Sequence, residues 1–130
     1  MCRRGLIEIC HEIPAQARVN LLLSAYAASV DWRFLLAFPG DLRDEVDRTL
    51  DEAIGRHGIK VQGLEFLAWD VESVLREASA CQLIVICSDP MREALTKVGI
   101  ESLNPVKAIG TLLRVSTASH VDRGGASGPR

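Results

Sequence analysis

The sequence predicts an α/β domain, a three-layer αβα arrangement around a mostly parallel sheet. Three observations predict it. Short apolar runs of strand length alternate along the chain with segments of helical length. One run, "QLIVIC" at 82–87, is continuously apolar and rich in β-branched residues, as a strand covered on both faces must be. The stretches between the runs are long enough to be crossover helices, which neighbouring parallel strands require.

The elements follow in order. "LIEIC" (6–10) reads as a first strand. "AQARVNLLLSAYAASV" (15–30) reads as a helix with Pro14 at its first position and Val19, Leu22, Leu23 and Tyr26 on one face. "WRFLLAF" (32–38) is a short apolar strand that stops at "PGD". Asp41 then caps a helix over 42–57, whose Leu42, Val46, Leu50, Ala53 and Ile54 form an apolar stripe opposite a charged face. Gly58 stands where a left-handed terminating residue belongs. "IKVQGLEFLA" (59–68) is extended, and Asp70 caps the helix in "WDVESVLREASAC", whose Val71, Val74, Leu75 and Ala78 point inward. After strand 82–87, "DPMREALTKV" is a short helix with Asp89 as N-cap, Pro90 at N1 and Gly99 past its end. "VKAIGTLLRV" (106–115) is expected as a last extended segment.

This divides the chain into an N-terminal strand and helix (1–31), an α/β body (32–116) and a tail (117–130) that ends "VDRGGASGPR" and is expected to be disordered. The 130 residues suffice for one domain with a real core. With a net charge of −2 and only 5% aromatics, the surface offers neither a basic track for a phosphate backbone nor stacking platforms, so direct nucleic-acid binding is not expected. No apolar run approaches the roughly 20 residues that span a bilayer. Glu8 and His11 interrupt the first apolar run, which makes a poor signal peptide, so the expected location is cytoplasmic and no membrane partner is expected.

A parallel sheet binds ligands outside the carboxyl ends of its strands. Three strand-to-helix loops share that edge: "FPGD" (38–41), "AWD" (68–70) and "CSDP" (87–90). The candidate ligand-binding residues are therefore Gly40, Asp41, Trp69, Asp70, Ser88 and Asp89. Each aspartate also reads as a helix cap. Trp69 is either a stacking surface for a ligand or a packing residue. The Ser88 hydroxyl and the N–H groups of residues 91 and 92 would converge on one point. No catalytic residue, metal ligand or cofactor is assigned: "PGD" has too few glycines for a phosphate loop, and none of the three histidines has a partner in a triad or zinc spacing.

The four cysteines, at 2, 10, 81 and 87, lack CxxC spacing and read first as small buried hydrophobes. A thiol at a strand end facing a helix N-terminus would nevertheless be activated. Cys10 and Cys87 could then act as a pair on opposite sides of a substrate Cα proton, as in a racemase-like enzyme. "CSDPMR" has one residue too few for the phosphate-wrapping loop of a low-molecular-weight phosphatase.

The succession "WRFLLAFPGD", "WDVESVLREASAC", "QLIVICSDPMREALTKV" and "VKAIGTLLRVS" resembles the effector domains of bacterial GntR-type transcription regulators, which are similar to periplasmic-binding-protein lobes. The resemblance covers residues 32–116 and rests on pattern. It implies a flavodoxin-like or binding-protein-lobe-like fold and a non-catalytic module that senses a small-molecule effector. The ligand would sit at 39–41, 69–70 and 88–89, and the module would work as a homodimer through helix 15–30, with its apolar run Val19–Leu23. No winged helix-turn-helix precedes it, so the chain would not bind an operator unaided. A receiver-like phosphoacceptor is the other family considered, with Asp41, Asp70 and Asp89 around Mg²⁺ and Lys107 supplied by a later strand. Receivers carry paired acids directly after the first strand, where this chain has only Glu12.

Overall fold

Strand β1 (Arg3–Glu8) lies inside the sheet, with parallel neighbours on both sides. These are β2 (Trp32–Ala37) and β4 (Leu83–Val85), and β3 (Leu64–Leu67) adds in parallel outside β2. The order is β3-β2-β1-β4, and the register sets Ile7 between Leu36 and Val85. The computed structural model describes residues 3–58 and 63–123, with side chains as far as Arg114. Five helices complete it: α1 (Ala15–Ala28), α2 (Arg43–His57), α3 (Val71–Ala78), α4 (Asp89–Lys97) and α5 (Pro105–Arg123).

Alternation along β1 builds two cores. Ile7 and Ile9 join Leu21 and Leu22 of α1, Val46 and Leu50 of α2, and Ala108 and Leu112 of α5 on one face. Leu6 joins Val74, Ile86, Met91 and Leu95 beneath α3 and α4 on the other. The molecule is thus α/β with a four-stranded, all-parallel sheet between helical layers, as the sequence predicts. All three residues of β4 are buried, and its outer side is covered by a parallel bridge from Val85 to Leu103. Two glycines are required by close approach: a Cβ at Gly5 would enter the Phe34 ring, and one at Gly63 would strike the carbonyls of Ser29 and Trp32.

Several expectations need correction. Residues 106–115 are not a strand but part of α5. The Asn104 side chain accepts from Lys107 N–H at 2.9 Å, Pro105 opens the helix, and Ala108 and Leu112 fall four apart on its buried side. Lys107 is accordingly an exposed helical residue. The tail expected from residue 117 begins inside α5, which runs to Arg123; residues 124–130 lie outside the described residues. Helix α2 starts from a 3-10 turn, Gly40–Leu42, so Asp41 does not cap it. Asp89 is not the N-cap of α4 but its first residue, since Ser88 holds the cap position. Asp70 does cap α3, and Gly58 ends α2 with φ 69°. Of the extended segment 59–68, residues 59–62 lie outside the described residues and β3 occupies 64–67.

Helices α1 and α2 are bolted together by Arg18, which donates to both oxygens of Glu45, at 2.6 and 2.8 Å, and to the Ile13 carbonyl. The hydrogen bonds from Arg18 outweigh burial and hold the Glu45 carboxyl below the usual carboxylate range. Its folded pKa thus lies under the ordinary value of 4.5. The stability it contributes is complete above that value and is lost as pH falls through the folded pKa. Glu45→Gln is expected to cost about 1–2 kcal/mol near neutral pH and almost nothing in strong acid. Urea unfolding of both proteins at the two pH values measures this.

Candidate functional site

Because every strand runs the same way, the segments after β1, β2, β3 and β4 all leave from one edge of the sheet. The strand order reverses between β1 and β4: the chain steps outward from β1 to β2 to β3, then returns to place β4 on the other side of β1. Such a switch point opens a crevice between two loops that diverge to opposite faces.

At this switch point stands Glu8, the last residue of β1 and 0% exposed. A buried carboxylate is tolerated only when donors surround it, and Glu8 has four. Oε1 accepts from the N–H groups of Cys87, at 3.1 Å, and Ser88, at 2.9 Å. Oε2 accepts from the Ser88 hydroxyl at 2.6 Å and the Trp69 indole N–H at 2.8 Å. Two of these donors are backbone amides at the start of α4, where the helix dipole favours negative charge. Glu8 thereby ties β1 to the loop after β4 and to the loop after β3, two strands away.

Two residues beyond Glu8, Cys10 is joined by a disulfide to Cys87, 77 positions along the chain, with a Cα–Cα distance of 6.4 Å. Both cysteines are buried, as the sequence predicts, but they are bonded rather than free. Cys81 is the free cysteine among the described residues, and burial pushes its thiol pKa up. Next along, the exposed His11 ring shares a 2.7 Å hydrogen bond with Asp41, from the loop after β2.

The six residues singled out from sequence all follow the carboxyl ends of β2, β3 and β4, and they divide by partner. Trp69 and Ser88 meet on Glu8. Trp69 keeps 44% of its surface open, whereas Ser88 is buried. The Ser88 hydroxyl therefore does not converge with the amides of 91 and 92: it donates to Glu8, and Arg92 N–H bonds the Ser88 carbonyl. Asp70 accepts from Ser73 N–H at 2.7 Å and from its hydroxyl at 3.0 Å, which lowers its carboxyl pKa. Asp89 pairs with Arg92 one turn on. Gly40 is exposed with open space around it. The three aspartates therefore answer to separate partners. Among the described residues no group of three or more His, Cys, Asp or Glu could hold a metal ion.

Glu8 is not among the residues that the sequence singles out, since there it only interrupts an apolar run. The signal was there: an acid between Ile7 and Ile9, at the end of an inward-facing strand. A groove of about 960 Å³ lies elsewhere, between α1 and α2, and none of the six residues lines it. Comparison with protein-family models and with curated proteins finds no match.

Glu8→Leu would strand four donors in a dry site. It is expected to cost about 3 kcal/mol or more in urea unfolding. In Glu8→Gln, which keeps the shape but offers one acceptor oxygen, the Trp69 indole proton resonance should move while that of Trp32 stays.

Proposed function

We propose that the chain is a small-molecule-sensing, non-catalytic α/β module of the kind that serves bacterial transcription regulators. Its effector site is the crevice at the carboxyl ends of β1 and β4, rimmed by Gly40 and Asp41, Trp69 and Asp70, and Ser88 and Asp89. The observation that carries this reading is the tie from Trp69 and Ser88 to Glu8, which fixes a half-exposed aromatic face beside the switch point. A rigid aromatic over a crevice, with polar groups around it, suits a small organic ligand. A homodimer belongs to the same reading, because a sensor must bias some two-state element to be heard. A separate DNA-binding domain or chain would then read the operator.

The test is a panel of sugars, amino acids and phosphorylated metabolites, followed by tryptophan emission and thermal unfolding. A true effector at a hundredfold its Kd adds about 2.7 kcal/mol. For a chain of this length that raises Tm by about 10 °C. Its emission change should vanish in Trp69→Phe, which leaves the buried Trp32 as reporter. A panel without any shift counts against the reading.

The Cys10–Cys87 bond favours a second reading, cysteine chemistry at the same crevice. With the sulfurs joined, no substrate carbon lies between them, so this reading is one of thiol–disulfide exchange rather than proton transfer between opposed thiols. Without reductant, a thiol alkylating agent should leave Cys10 and Cys87 unmodified, and reduction should expose both to mass-detected labelling. Free alkylation of both without reductant would remove the second reading.

A further inference from the structure

Helix α1 is apolar on nearly every side. Its 14 residues carry one charged side chain, Arg18, and that one turns inward to Glu45. A helix of this composition is a buried helix. Leu21, Leu22 and Ala25 are indeed in the core, so the expected apolar run Val19–Leu23 is mostly spent there. The outward side is different. Val19 and Leu23 are half-buried, Ala27 is exposed, and Val30, just past the helix, is 55% exposed. These residues form one wall of the 960 Å³ groove, and α2 forms the other.

The α2 wall carries charge in strict alternation: Glu45, Arg48, Glu52, Arg56. Read in reverse, every sign inverts. Two α2 helices laid antiparallel about a two-fold axis would set Arg48 against the partner's Glu52 and Arg56 against the partner's Glu45. Laid parallel, each charge would meet its own kind. Glu45 is already bound to Arg18, but among the described residues Arg48, Glu52 and Arg56 form no ion pair.

The same axis serves α1. Val19 and Leu23 are equidistant from residue 21, as are Ala15 and Ala27. Arg18 meets Glu45, 27 positions on, and the ring of Tyr26 lies 6.2 Å from that of His57, 31 positions on, so residue 21 of α1 stands beside residues 48 to 52 of α2, a span that includes the charge midpoint near residue 50. An isologous interface must be self-complementary, with contact i to j repeated as j to i. This face meets that condition in both its apolar strip and its charges.

We infer that the α1–α2 face is the interface of a two-fold homodimer, its occupant a second copy of this chain packed antiparallel. The inference rests on the dimeric half of the function proposed above and not on any effector. Sedimentation of the full chain at micromolar concentration should give a dimer, and Leu23→Glu should give a folded monomer by circular dichroism. Arg48→Glu and Glu52→Arg, each alone, should weaken dimerisation at least about tenfold, because each sets like charges across the axis twice. Mixing the two single variants should restore it as a heterodimer, since every central pair is then opposite in sign. A monomeric wild-type chain, or a dimer indifferent to both charge reversals and to Leu23→Glu, overturns the inference. Effector binding read from Trp69 emission is independent of either result.

Discussion

Glu8 is a carboxyl group taken wholly out of water with no ion pair among the described residues, and the layout of the rim follows from that. Such a group is viable only if its lone pairs are filled by donors that arrive in the right places. One residue, Ser88, supplies two of the four by offering both its backbone amide and its hydroxyl. Another donor comes from Trp69, which must reach across the end of β2 to get there. The loops after β3 and β4 are consequently tied to the end of β1. The Cys10–Cys87 bond adds a covalent tie between β1 and β4 at the same level. The flexibility expected of surface loops is removed where the crevice is built, and what is left open is the face of Trp69.

Much of the architecture was legible because it depends on local signals. "QLIVIC" is long enough and apolar enough to be a covered strand. The charged and apolar stripes of 42–57 repeat at the helical period, and Asp70 has a free serine amide three residues on to accept from. The C-terminal segment was not legible in that way. "VKAIGTLLRV" alternates poorly and is short of charges, so propensity leaves strand and helix close together. Tertiary packing decides for the helix, because Ala108 and Leu112 fit against α1. The two caps that differ, Asp41 and Asp89, do so because each helix starts elsewhere: α2 follows a 3-10 turn and α4 is capped by Ser88, so the carboxylates turn to His11 and Arg92 instead.

The candidate site was legible as an edge, but its centre was not. Parallel strands guarantee that the three loops share a rim, so topology alone brings Trp69 and Ser88 to one edge of the sheet. What joins them depends on which face Glu8 takes, and that follows from the register of β1 against β2 and β4. A one-residue slip would send Glu8 to the α1 side and Ile7 or Ile9 into its place. No single-sequence argument fixes that register. Gly5 helps fix it in the structure, since only a glycine leaves room for the Phe34 ring opposite.

The rim and the groove are not remote from each other. Helix α1 begins directly after the segment that holds Cys10 and His11, and α2 begins directly after the turn that holds Asp41. Three contacts then set the spacing of the two helices from top to bottom: His11 with Asp41, Arg18 with Glu45, and Tyr26 with His57. The first of these belongs to the rim and is the most exposed, so it is the weakest and the easiest to replace by contacts to a ligand. The second is partly buried and bidentate, and holds firm. A ligand that took over His11 or Asp41 would release the top of the α1–α2 pair while leaving its middle fixed, and would thereby change the width of the groove at one end. Coupling between a sensing rim and a dimer face requires a shared element with two arrangements. If the rim takes an effector and the α1–α2 face pairs two copies, as proposed, the α1–α2 pair is an element that touches both.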